Sequence, residues 1–274
     1  MWLLLLLCAV TGIVGCCIDI GCGFPPAKYT RVVERSAPLA AGGCFDAKTH
    51  NGSIAVTGAD VAECRVTATI VARAGSEEQA KKLAEQTSIR LEADGNKMKT
   101  RINTPRTCMN ESVSVSLDVT VPEQTDAVLA TNNGKVKISD LRGRIDATTH
   151  NGKVRASRVV GATKLQTHNG SIICEKVSGD IQLKTYNGNV RAAYSQSAPA
   201  VCDVSIVTYN GSVEFAAPPH YSARADVSTS NGTISTKLPI TLSGKLSRTK
   251  LQGAIGTGEG RLHLETNNGS VTIK

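Results

Sequence analysis

The chain is poor in aromatic residues, has no dense run of one charge, and lacks the short motifs of common catalytic sites. Phe, Trp and Tyr make up 3% of the residues, so the core must be built from Val, Ile, Leu, Ala and Thr. Those are β-formers or small side chains, suited to thin layered cores. The same scarcity excludes a base-stacking platform. The formal charge is +8, but Lys and Arg are scattered singly and no zinc-finger spacing occurs. No nucleic-acid partner is therefore expected, and the charge reads first as a solvated, slightly basic surface. There is no G-x-S-x-G, H-E-x-x-H, P-loop or Rossmann glycine pattern, hence no expected catalytic residue or cofactor. Cysteines form no CxxC pair and do not alternate with His at zinc spacing, so no metal site is expected. Parallel β-solenoids can carry carbohydrate-active sites built of carboxylates on one face. Here Asp140, Asp146, Glu175, Asp180 and Glu214 share no register, which makes such an enzyme the weakest reading.

What is there begins with an apolar segment. Residues 1–15, MWLLLLLCAVTGIVG, have the length of a secretory signal core and are short for a membrane span. Ile13-Val14-Gly15-Cys16 looks like a lipobox, with Cys16 as the lipidated residue, although no Lys or Arg precedes the apolar run. A secreted protein or an uncleaved anchor are the alternatives. The nine cysteines fit an oxidising compartment and structural disulfides. Residues 16–43, with Gly, Pro and isolated charges, read as a flexible tether.

Residues 44–124 read as a strand-rich unit with one helix. CRVTATIVARA, 64–74, alternates like a strand. SEEQAKKLAEQT, 76–87, predicts the helix, with Ser76 as N-cap, Gln79 at the capping-box position, and Ala80, Leu83 and Ala84 as its apolar stripe. SIRLEADGNKMKTRI, 88–102, reads as a hairpin turning at Asp94-Gly95. In ESVSVSLDVTVP, Val113, Val115, Leu117, Val119 and Val121 share one face, and Pro122 ends the strand.

Residues 125–274 carry the repeat. T-x-N-G-x-[VI] recurs from 131, 149, 167, 185, 208, 229 and 266, with an isolated early copy at 49. Glycines stand at 134, 143, 152, 161, 170, 179 and 188, one every nine residues, while the full Asn-Gly motif returns every eighteen. Between glycines the residues alternate, as in Ile145, Ala147, Thr149 and Ile181, Leu183, Thr185. Two strands then make one eighteen-residue coil, and stacked coils give two parallel sheets over a thin aliphatic core. An antiparallel meander would explain nine-residue units but not Asn-Gly at alternate turns only. Residues 193–201 and 217–222 read as insertions, and the chain's last strand, near Val271, as an open edge for self-association.

Stacking predicts a structural turn ladder of Asn133, Gly134, Asn151, Gly152, Asn169, Gly170, Asn187, Gly188, Asn210 and Gly211, with the preceding threonines facing inward. His150, His168, Tyr186 and Tyr209 fall in one exposed row, read as solvated surface, with weak metal or ligand contact as the alternative. Lys135, Lys137, Lys153, Arg155 and Arg191 form a candidate stripe for a polyanion or anionic surface. Cys174, facing inward, and Cys202, in a turn, are the candidate disulfide pair.

The helix-bearing front unit, the passage VSVSLDVTVPEQTDAVLATNNGKVKI and the serial T-x-N-G coils resemble the bacterial DUF4097-type β-strand repeat family, whose members are labelled candidate adhesins. The likeness covers roughly residues 44–274. It implies an all-β, right-handed parallel β-solenoid or β-roll on an exported envelope protein, with no shared catalytic residues. The expected function is a non-enzymatic, membrane-anchored lipoprotein of the bacterial envelope. It would act as an adhesin-like or scaffold module offering flat sheet faces to a glycan, lipid or protein partner. A self-assembling structural protein is the alternative.

Overall fold

The structure is a computed structural model and describes residues 26–242 and 247–274. The expected signal segment 1–15, the lipidation candidate Cys16, Cys17 and Cys22 lie outside the described residues.

The first elements are β1 (Ala27–Pro38), β2 (Gly43–Asn51), β3 (Ile54–Ala59), β4 (Glu63–Ala74), α1 (Glu77–Gln86), β5 (Ser88–Asp94), β6 (Lys97–Asn103) and β7 (Ser112–Pro122). The repeat supplies β8 (Thr125–Asn133) with β9 (Val136–Arg142), β10 (Ile145–Asn151) with β11 (Val154–Val160), and β12 (Thr163–Asn169) with β13 (Ile172–Val177). It continues with β14 (Ile181–Asn187) and β15 (Val190–Tyr194), then β16 (Val204–Asn210) and β17 (Val213–Ala216). Last come β18 (Ala223–Asn231), β19 (Ile234–Thr236), β20 (Thr241–Leu242), β21 (Lys250–Ile255), β22 (Gly260–Asn268) and β23 (Val271–Ile273).

The coils stack as the eighteen-residue count requires. Strands β9, β11, β13, β15, β17, β19 and β23 join an eleven-stranded sheet ordered β1-β4-β7-β3-β9-β11-β13-β15-β17-β23-β19. The facing sheet has twelve strands, ordered β20-β21-β18-β22-β16-β14-β12-β10-β8-β2-β6-β5. Coil strands pair in parallel at fixed register, Thr149 beside Thr131 and Thr167, and Asn151 beside Asn133 and Asn169. Buried Val, Ile, Leu and Ala from both sheets fill one continuous core. Aromatic residues enter it at few points: Phe45, and the cluster of Phe215 with Tyr194 and Tyr221.

Three chemical devices fix the corner between the sheets. The corner threonines are buried, and each hydroxyl donates to the glycine carbonyl of the preceding coil: Thr149 to Gly134 at 3.0 Å, Thr167 to Gly152 at 3.0 Å, Thr185 to Gly170 at 2.9 Å. A Cβ added at Gly134, Gly152, Gly170 or Gly188 would fall inside the carbonyl group of the glycine below. Close backbone approach therefore demands glycine at those four positions. Asparagine amides chain from coil to coil, each Nδ2 donating to the next Oδ1 at 2.7–2.8 Å, through Asn51, Asn133, Asn151, Asn169, Asn187, Asn210, Asn268 and Asn231. The early THNGSI copy is not isolated: β2 and β3 are the first coil, and Asn51 begins the ladder.

Four expectations change. The tether of 16–43 contains β1, a twelve-residue strand paired along its length with β4. The division at 124/125 is crossed by both sheets, through β2 with β8 and β3 with β9. The hairpin turns one residue later than expected, at Gly95-Asn96, with φ +58° at Gly95. Strict alternation also fails near the end of three coil strands. Asp140, Arg158 and Lys176 adopt φ of 60°, 52° and 55°, so that Leu141, Val159 and Val177 point inward three residues after Ile138, Ala156 and Cys174.

The helix matches its expected span to within a residue at each end. Ser76 Oγ accepts from the Gln79 backbone N–H at 3.2 Å, and Ala80, Leu83 and Ala84 are buried. Arg31 of β1 donates to Ala84 O at 3.1 Å and Glu85 O at 3.3 Å, neutralising the carbonyl end of α1. The helix so packed on β1 and β4 covers the N-terminal end of the core.

The C-terminal expectation is overturned. β22 lies between β16 and β18, and β23 between β17 and β19. The strand near Val271 is interior to its sheet, so self-association through it is excluded; the short strands β19 and β20 hold the edges at that end.

Candidate interaction faces

The stack creates two outward faces, and the repeat lines up equivalent side chains on each. On the twelve-stranded sheet, one cross-strand row is Asp146, Lys164, Gln182, Ser205 and His263. Beside it, at the strand entrances, stand Arg144, Ala162, Asp180, Asp203 and Arg261. Together they border a shallow groove of about 560 Å³ whose floor includes Ile145, Ile181 and Val204. Several carboxylates are partly engaged. Asp126 Oδ1 accepts the Arg144 N–H at 2.7 Å, Asp180 Oδ1 the Asp203 N–H at 2.9 Å, and Asp203 Oδ1 the Arg261 N–H at 3.0 Å. Lys164 lies 3.8 Å from Asp146, and His263 lies 3.5 Å from Glu265 and 4.0 Å from Asp226. The groove thus mixes charges and offers amide, hydroxyl and imidazole groups at strand spacing. Sequence reasoning missed Arg261 and His263, because β22 enters the stack out of sequence order.

At the other end of the same face, His150, His168, Tyr186 and Tyr209 form a continuous stack. Their centroids are 4.8, 5.0 and 4.9 Å apart and their planes within 3° of parallel. Within the column the ring faces cover each other, so His168 and Tyr186 show solvent their edges and offer no face on which a sugar could stack. Two adjacent imidazoles with no third ligand do not make a metal site, and no group of three metal-binding side chains occurs among the described residues.

The candidate basic stripe lies on the eleven-stranded sheet and is weaker than the sequence suggested. Lys137, Arg155, Ile173, Arg191 and Glu214 are register neighbours in that order. Arg155 lies 3.6 Å from Glu175, and Arg191 3.9 Å from Glu214, which also receives Lys274 at 2.5 Å. Lys135, Lys137 and Lys153 remain without an ion pair among the described residues. The carboxylates that divide the stripe come from strands one coil away, invisible to a reading of one strand at a time.

The candidate disulfide is not formed. Cys174 sits in mid-strand between Ala156 and Ala192 on one sheet, and Cys202 precedes β16 of the other, beside Tyr194. Among the described residues neither thiol has a disulfide partner, nor have Cys44, Cys64 and Cys108. Burial pushes the Cys174 and Cys64 thiols up to about 12, so neither is a thiolate at neutral pH. Asp140 binds Arg158 through two hydrogen bonds of 2.5 and 2.7 Å, which hold its carboxyl below the ordinary range.

The description Toastrack DUF4097 names the family model to which residues 158–274 are similar. No curated protein matches the chain in sequence. Among solved structures, a candidate cell adhesion protein from Clostridium sporogenes is 10% identical, over 89% of this chain and 99% of that one, with a TM-score of 0.41. A candidate adhesin from Bacteroides fragilis is 11% identical, over 92% and 100%, with a TM-score of 0.36. A candidate lipid binding protein from Parabacteroides distasonis is 11% identical, over 89% and 96%, with a TM-score of 0.32. Scores at this level carry no function from those proteins to this one.

Proposed function

We propose that the chain is a non-enzymatic, adhesin-like scaffold of the bacterial cell envelope, tethered through its N-terminal segment. In this reading the outward face of the twelve-stranded sheet meets an extended, hydroxyl-rich partner such as a glycan. The observation that carries the reading is the coil-to-coil register. Threonine, glycine and asparagine lock each coil to the next, so groove side chains repeat at strand spacing along a rigid face. A regular row of carboxylate, amide, hydroxyl and imidazole groups suits a repeating chain of hydroxyls. The mixed charge of the groove suits it better than a polyanion, and the divided stripe on the other sheet gives an anionic surface little to hold.

The test is binding of the purified full chain to a panel of envelope polysaccharides and to anionic vesicles. The triple variant Asp146→Ala, Gln182→Ala, His263→Ala should lose glycan binding by about tenfold or more, with vesicle binding unchanged. Vesicle binding abolished by neutralising Lys135, Lys137 and Lys153, with no glycan bound, would reverse the assignment.

A further inference from the structure

We infer that the open edge of β1 pairs antiparallel with β1 of a second copy, joining two eleven-stranded sheets into one. Among the described residues, β1 is bonded only to β4 and forms the outer strand of its sheet. Roughly half of its twelve residues therefore turn a backbone N–H and C=O away from the protein. The other described edges are shorter: β5 has seven residues, with Arg90, Glu92 and Asp94 exposed, β19 has three and β20 two. The inner face of β1 is already occupied. Arg31 bonds the last carbonyls of α1, and Arg35 donates to Ile89 O of β5 at 3.3 Å. What is left is the hydrogen-bonding flank and the outward row Lys28, Thr30, Val32 and Glu34, with Val32 57% exposed.

The charges on that row fit a second copy. Lys28 has Arg73 as its cross-strand neighbour, a like-charge pair, and no carboxylate in contact among the described residues. A twofold axis normal to the sheet at Arg31 sets Lys28 opposite Glu34 of the second copy, twice over. The same operation sets Thr30 opposite Val32 twice, continuing the mixed Val71–Thr30 and Thr69–Val32 rows across the junction. On the inner face Tyr29 meets Val33, and the two Arg31 side chains are already turned to helix carbonyls. This interface is closed and isologous, so the association stops at a dimer.

The test is sedimentation velocity of the full chain in mild detergent over a wide concentration range, with Glu34→Lys, Lys28→Glu and the double swap. The wild type is expected to dimerise reversibly. Each single swap turns two attractive pairs into two repulsive ones and should weaken the dimer about tenfold, and the double swap should restore it. Association through the apolar N-terminal segment would ignore these charges. A monomer at every concentration, association indifferent to the single swaps, or a double variant no better than the singles would overturn the inference.

Discussion

At the scale of single residues, the corner motif divides its tasks, and each task can be removed separately. Thr149 is buried and its hydroxyl meets the Gly134 carbonyl, whereas Thr148 is exposed on the same strand. Thr149→Val should cost about 1 kcal/mol in chemical denaturation, because the part-buried Gly134 carbonyl loses its partner, while Thr148→Val should be near neutral. Gly152→Ala drives a methyl into the Gly134 carbonyl and should cost about 2–4 kcal/mol. Gly95→Ala, with open space but φ +58°, should cost only about 1 kcal/mol. Acid stability belongs to this scale as well. The Arg158 hydrogen bonds lower Asp140, and the Lys274 hydrogen bond lowers Glu214. Both carboxyls lie lower in the folded chain than in the unfolded one. Their contribution is complete above the ordinary values of 3.8 and 4.5, and is lost as pH falls through the depressed folded ones. A denaturation series should show Asp140→Asn flattening that acid loss without changing stability much at pH 7 in high salt, where exposed pairs are screened.

At the scale of the element, the strand that follows each Asn-Gly corner was legible up to its middle. Val136 and Ile138, or Val154 and Ala156, announce a period of two, and the fold keeps it. The end of the same strand was not legible. The inward turn of Leu141 depends on Asp140 taking a left-handed conformation, which an Asp, an Arg and a Lys in equivalent places do not advertise. Glycine is the residue that normally marks such a site, and here the ladder bonds of neighbouring coils hold ordinary residues there. Lys176 has no ion pair among the described residues, so Lys176→Gly should stabilise the chain by about 1 kcal/mol in thermal or chemical unfolding. Arg158→Gly should gain less, since it also loses the bond to Asp140. The candidate site shows the same limit. The aromatic row was legible because its members share one register position. The groove was not, because Arg261 and His263 reach it on a strand outside the eighteen-residue count.

At the scale of the molecule, a strand arrives out of order near each end of the stack. β7 inserts between β4 and β3, and the β22–β23 coil inserts between the β16–β17 and β18–β19 coils. Consecutive elements usually lie side by side, and a reading that follows the chain in order places the final coil at the edge. Nothing in TNNGSV distinguishes an inserted rung from a terminal one. The consequence is cooperative. With one continuous core, unfolding should be a single transition, and removing residues 260–274 should release β18 and its hairpin partner β21 from the stack. The rung order can be read directly by NMR of the Ile, Leu and Val methyl groups. Contacts are expected along the inward column Ile54, Val136, Val154, Ile172, Val190, Val213, Val271 and the partly buried Ile234, each residue touching the next. Ile234 should contact Val271 and not Val213. A direct Val213–Ile234 contact, with Val271 at the edge, would contradict this order.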